Sequence, residues 1–230
     1  IIQEIKNIWA GASGIILIIA QMGYGKTWLV SRIRELIREE DTEIAVLLQP
    51  LRELNRVERI LFPILGIKDS SELKAIQEKI PERLGKTVII FDGLDELYQI
   101  DKEKAWKALE IATIVAKSGI PVIITTRPYE WEKMQLEEKY ERLRIDKALR
   151  KIFELKEFDE KELREALRRY KLPEELVEAK GKLGILLRKP YFIRILAYWY
   201  ERTRKLPNED MNNAIALTIL IGFPRPDKLR

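Results

Sequence analysis

The chain of 230 residues predicts a three-layer α/β fold, a parallel sheet covered by helices on both faces, followed by a small all-α domain. Three observations lead there. Short apolar runs alternate with stretches of helical periodicity, the strand–helix order that builds parallel sheets. The runs are apolar throughout, as strands buried on both faces are. Past Phe158 no strand pattern survives. With 46% hydrophobic residues there is material for one α/β domain and a small helical one. The longest apolar run, Gly14 to Ala20, is far short of the roughly 20 residues that span a bilayer as a helix, so no membrane segment is expected.

Taken in order, residues 1 to 10 read as an amphipathic lead-in, with Ile2, Ile5, Ile8 and Trp9 at helical spacing. The first strand follows, then a helix to about Glu39 whose apolar positions are Trp28, Leu29, Ile33, Leu36 and Ile37. A second strand covers Glu43 to Gln49, and 55 to 85 is helical with breaks at Pro63, Gly66 and Pro81. Thr87 to Phe91 is the third strand. Helix 102 to 118 sets Ala105, Trp106, Leu109, Ala112, Val115 and Ala116 on one face and stops at Gly119. Pro121 to Thr125 is the fourth strand, which Pro128 prevents from running on. Residues 159 to 170, 173 to 187 and 190 to 204 read as three helices, and the aromatic stripe Tyr191, Phe192, Tyr198, Trp199 as their core. Domains are therefore expected at 1–158 (α/β) and 159–207 (helical). For 208–230 the start of a truncated winged-helix domain is the one reading offered.

The chemistry starts where the first strand ends. Ala20 to Thr27 reads Ala-Gln-Met-Gly-Tyr-Gly-Lys-Thr, a loop built to cradle phosphates. The strand fixes where the loop begins, Gly23 and Gly25 let backbone N–H groups turn inward, and the following helix presents its positive dipole end. Lys26 would reach the β- and γ-phosphates and Thr27 would ligate Mg²⁺. The binding set is then Gln21, Met22, Gly23, Tyr24, Gly25, Lys26, Thr27 and Trp28, with ATP or ADP and Mg²⁺ as ligands. Against the G-x-x-x-x-G-K-[ST] pattern, Ala20 stands where glycine is usual, the mildest replacement.

Two further strand tips carry polar groups. The third strand runs into Asp92-Gly93-Leu94-Asp95-Glu96; Asp92 is placed to hold the magnesium shell, through water, since the ion keeps most of its waters. An acid directly after Asp92 would orient the attacking water, but Gly93 stands there, so that role falls to Asp95 or, second, Glu96. Both could instead cap the next helix. The fourth strand ends Thr125-Thr126-Arg127-Pro128, setting two hydroxyls toward a ligand and a planar guanidinium suited to phosphate oxygens.

Charge and composition narrow the rest. Without cysteine or histidine, catalysis must rest on carboxylates, Lys, Arg and metal. The net charge of +5 does not by itself imply nucleic acid, because basic residues are interleaved with acids, as in Glu162 to Arg169. The best basic cluster is Arg142, Arg144, Lys147, Arg150 and Lys151, and direct nucleic-acid binding is not expected.

Together the segments AQMGYGKT, VIIFDGLDEL and VIITTRP resemble the NACHT branch of the STAND nucleotide-binding ATPases, whose Walker-B strand ends in D-G-L-D-E and whose fourth strand ends in T-[ST]-R-P. Leu47 to Leu54 is similar to that family's second strand and its R-E-L. Phe153 to Phe158 resembles its last strand, and Leu187 to Tyr191 the helical segment whose proline, here Pro190, packs on the adenine. The resemblance implies a P-loop NTPase sheet of order 5-1-4-3-2, catalytic roles for Lys26, Asp95, Glu96 and Arg127, and slow hydrolysis. It also implies self-association in the ATP state, with antiviral defence as one biological setting; cytoplasmic residence is expected from composition, which has no cysteine and no membrane-spanning run. The chain is expected to be a piece of a longer protein carrying fused effector and sensor domains.

Three functions follow. The first is the signalling switch of that family. The second is a working ATPase of the AAA+ type, for DNA loading or remodelling, against which Gly93 counts. The third is a non-hydrolysing scaffold that holds nucleotide, against which intact Lys26, Thr27, Asp92 and Asp95 count.

Overall fold

The computed structural model describes residues 13–40, 43–51 and 54–206. The lead-in expected at residues 1–10, Arg52 and Glu53 of the family-like R-E-L, and residues 208–230 lie outside them. The described residues form two compact units: one holds those up to Met22 and those from Lys26 to Leu155, the other Gly23–Gly25 and those from Lys156 to 206.

In the first unit five strands form one sheet: β1 (Gly14–Ala20), β2 (Ala45–Pro50), β3 (Thr87–Asp92), β4 (Pro121–Thr126) and β5 (Leu149–Leu155). Their order is β2-β3-β4-β1-β5, the expected 5-1-4-3-2 read from the opposite edge, and every neighbouring pair is parallel. The two-residue period of a strand divides its side chains between two cores. Ile16, Ile18, Val88, Ile90 and Ile123 face the side covered by α1 (Lys26–Glu40), which contributes Leu29, Val30, Ile33 and Ile37. Ile15, Leu17, Ile89, Phe91, Val122 and Ile124 face the other side. That side is packed by α2 (Leu54–Leu65), α3 (Ile80–Leu84), α4 (Leu94–Ile100), α5 (Lys102–Lys117), α6 (Pro128–Gln135) and α7 (Glu138–Leu143).

Several elements differ from expectation. Pro63 does not break its helix: it sits in the last turn of α2, where the chain closes through Gly66 N–H to Pro63 O (3.1 Å) and Ile67 N–H to Phe62 O (3.0 Å). Pro81 opens α3 rather than ending a helix, its missing N–H falling among the first-turn donors that have no helical partner. α5 buries Ala108, Ile111, Thr113 and Ile114 besides the expected stripe, because neighbouring helices cover it as well as the sheet. β5 begins four residues before the apolar Phe153, at Leu149. It is an edge strand with exposed Arg150, Lys151 and Ile152, and edge strands carry charge to block further pairing. The basic cluster is thereby dispersed: Arg142 is on α7, paired with Glu138 at 2.5 Å, while Arg150 and Lys151 are on the sheet edge.

The second unit contains α8 (Glu160–Arg169), a 3₁₀ turn (Glu174–Glu178), α9 (Gly181–Leu187) and α10 (Pro190–Thr203). Asp159 starts α8 with a capping box, accepting from Glu162 N–H at 2.8 Å while Glu162 accepts from Asp159 N–H at 3.0 Å. The helix expected over 173–187 is interrupted where Ala179 turns extended (ψ 130°). The core is Leu163, Leu167, Leu172, Leu176, Leu187, Ile193 and Leu196. The aromatic stripe is only half-buried; Tyr198, for example, lies under the Arg202 guanidinium at 3.7 Å. No described helix is long and apolar enough to cross a membrane.

Candidate nucleotide site

β3, β4 and β1 are consecutive neighbours in a parallel sheet, so their C-terminal tips reach one edge side by side. Ligands bind outside such an edge in open α/β sheets. Asp92 ends β3, Arg127 follows β4, and the loop after β1 leads to Lys26 at the start of α1.

Asp92 is held by Thr125. The Thr125 hydroxyl, wholly buried, donates to Asp92 Oδ1 at 2.6 Å and accepts from Gly93 N–H at 2.9 Å. Gly93 takes φ +86°, with Glu96 side-chain atoms 3.7–3.8 Å from where a Cβ would stand. A side chain there would be strained, which accounts for glycine at the position where an acid was sought. Burial pushes the Asp92 carboxyl up, while hydrogen bonds from Thr125 and Thr27 pull it back. Thr27 and Asp92 thus meet as two hard oxygen donors, the kind magnesium takes.

Asp95 lies in the first turn of α4 and is 1% exposed. Its Oδ2 stands 2.8 Å from Arg127 Nε and its Oδ1 3.7 Å from Lys26 Nζ. Neither Asp95 Oδ1 nor Arg127 Nε has an aligned hydrogen bond, so both contacts are ionic. Lys26 also donates to Ala20 O at 2.9 Å. Burial pushes the Asp95 carboxyl up against the pull of Lys26 and Arg127, and lowers Lys26 against the pull of Asp95. Glu96, one residue on, is exposed.

Of the loop residues, Gln21, Met22, Thr27 and Trp28 are exposed. Gly23 (φ +87°) and Gly25 (φ +86°) adopt the left-handed conformation that lets a loop turn its amides inward. Within the second unit, Gly23 O accepts from Tyr191 N–H at 3.1 Å, the Tyr24 hydroxyl donates to Glu157 at 2.9 Å, and a Cβ on Gly25 would stand 3.7 Å from Pro190.

The structure therefore brings Lys26, Thr27, Asp92, Asp95 and Arg127 together in the first unit, and their ammonium, guanidinium and oxygen donors fit magnesium-bound phosphate groups. Among the described residues no cluster of three or more His, Cys, Asp or Glu could hold a metal alone, so a magnesium ion would draw on water and phosphate. One expectation needs correction. Thr125 and Thr126 do not face a ligand; both are fully buried, because β4 is an interior strand. Thr125 serves Asp92 instead, a role missed from sequence although a hydroxyl ending the strand beside Asp92's was the available signal. The Ala20 carbonyl, as acceptor for Lys26, carried no signal at all.

A family model described as NACHT domain matches residues 15–174. No curated protein matches the chain. Among solved structures, domain III of the Thermotoga maritima replication initiation protein DnaA is similar at 18% identity and TM-score 0.57, covering 95% of this chain and 88% of that one. The Aeropyrum pernix ORC2 protein, in ADPNP–ADP complexes, is similar at 14% and 0.59, covering 97% and 68%. A Walker-type ATPase of Pyrococcus abyssi is similar at 13% and 0.59, covering 89% and 67%. At these identities the likeness is one of fold.

Proposed function

The chain belongs to the NACHT family of P-loop NTPases, and from that premise we propose that it is a nucleotide-operated switch with slow, Mg²⁺-dependent ATPase activity. The observation that carries this is the meeting of Lys26, Asp92 and Arg127 at the shared edge of β1, β3 and β4. Lys26 binds phosphate oxygens, and Arg127 supplies a second, planar cation for the terminal phosphate. Thr27 and Asp92 would hold a Mg²⁺ ion, Asp92 through water, and the ion would supply charge neutralisation for the phosphates. A water-orienting carboxylate is still required. Asp95 turns both oxygens to cations, which favours the exposed Glu96 for that role. The finer parts of the reading, self-association in the ATP state and a place in defence signalling, rest on the family pattern alone.

Without a neighbouring acid at Gly93, hydrolysis is expected to be slow and the bound state long-lived, which suits a switch better than a motor. Melting curves and light scattering of the apo, ADP-bound and ATP-analogue-bound protein test this. Distinct stabilities, with a larger particle in the analogue state, are expected. Indistinguishable curves with binding independently verified would refute the switch.

A further inference from the structure

We propose that Asp95 is a counter-ion shared by Lys26 and Arg127 that the γ-phosphate must displace, so that this carboxylate sets how strongly the site prefers a nucleoside triphosphate to a diphosphate. The inference rests on the nucleotide reading above and adds the residue that governs its selectivity.

Asp95 is 1% exposed, and its two oxygens are divided between the two cations, Oδ2 at 2.8 Å from Arg127 Nε and Oδ1 at 3.7 Å from Lys26 Nζ. A buried charge needs partners, since losing either leaves it uncompensated where water cannot help. The cations are the more accessible members: the side chains of Lys26 and Arg127 are 13% and 30% exposed, against 2% for Asp95. A phosphate arriving from solvent meets them first, and Asp95 behind them is the group it competes with. Asp95 stands within 4 Å of both Lys26 Nζ and Arg127 Nε, so the competition is centred on this carboxylate.

The two nucleotides differ in how many of these contacts they contest. The loop lysine reaches both β- and γ-phosphates, so a diphosphate draws on Lys26 alone. A triphosphate draws on Lys26 and Arg127 together and must weaken both arms of the Asp95 pairing. Fixed negative charge behind the cations therefore penalises the triphosphate more. Neutralising Asp95 releases both cations, and the triphosphate gains twice.

The test is calorimetric titration of the protein and its Asp95→Asn variant with Mg·ADP and a Mg-bound non-hydrolysable ATP analogue. Asp95→Asn is expected to move the affinity ratio toward the ATP analogue by about tenfold, the change one contact of about 1.4 kcal/mol makes. In an Arg127→Ala background the same substitution is expected to leave the ratio unmoved. A second readout uses the unaltered protein, so that misfolding of the variant decides nothing. The NMR resonance of Arg127 Hε is expected to shift with the ATP analogue and to stay in place with ADP. An unchanged ratio, a shift toward ADP, or an Hε resonance indifferent to both nucleotides would overturn the inference while leaving the site assignment intact. No binding of either nucleotide would overturn the nucleotide reading and this inference with it.

Discussion

Replacing Thr125 by valine keeps the shape of a fully buried side chain and deletes one hydroxyl. That hydroxyl makes two bonds, to Asp92 Oδ1 at 2.6 Å and from Gly93 N–H at 2.9 Å. A hydrogen bond to a charged group is worth about 1.5–3 kcal/mol, and an unsatisfied buried donor costs about 1–3 kcal/mol. The two losses share one atom and relax together, so Thr125→Val is expected to destabilise the sheet edge by about 2–4 kcal/mol. With two compact units in the chain a single unfolding curve is a poor gauge, so the assay is hydrogen–deuterium exchange of the β3 and β4 amides. Opening of that edge should become at least about 30-fold easier, the equivalent of about 2 kcal/mol. Thr125→Ser keeps the hydroxyl and loses only a methyl group, about 1 kcal/mol, and is the control. If Thr125→Val exchanges no faster than Thr125→Ser, the hydroxyl does not hold Asp92 and the reasoning fails.

Other outcomes follow from the same geometry. Glu96→Gln should lower ATP turnover by about 10²-fold or more while leaving nucleotide affinity near the parental value; single-turnover kinetics check this, and parental turnover would return the water-orienting role to Asp95. Tyr98 and Tyr140 are both pushed up to about 12, chiefly by burial and next by bonding to Glu137 and Asp146. Their neutral forms are favoured in the fold, so the stability they contribute is complete below the ordinary tyrosine pKa of about 10 and is lost as pH rises through about 12. Phenolate absorbance should show a late-titrating class of tyrosines that merges with the rest once the protein is unfolded. Leu17→Ala, at a fully buried β1 position, should cost about 2–5 kcal/mol, read from hydrogen–deuterium exchange of the β1 amides.

Much of this was legible in the sequence, and what was not has physical causes. β1, β3 and β4 are interior strands, so their apolar runs announce them. β5 is an edge strand, and its exposed Arg150 and Lys151 hide it behind the later apolar Phe153. Lys26, Thr27 and Asp92 are readable because a phosphate loop and a strand tip are local patterns. The burial of Asp95 is not local: it depends on Arg127, which follows a different strand, standing beside the first turn of α4. The hydroxyl of Thr125 points to a ligand on sequence because strand order alone does not say that it bonds Asp92 Oδ1 and Gly93 N–H on the neighbouring strand's tip. Position 93 requires glycine for its left-handed turn, a backbone need that looked in sequence like a missing acid.

The central claim, that the edge shared by β1, β3 and β4 binds a nucleoside triphosphate through Lys26, is tested most directly by one titration. Mg·ATP analogue is added to the parental protein and to Lys26→Ala in a calorimeter. Saturable one-to-one binding is expected for the parent, with affinity lowered in the variant by about 30-fold or more, the scale of one charge-assisted phosphate contact of about 2–3 kcal/mol. Equal affinity in the two proteins, or no binding by the parent, would contradict the account.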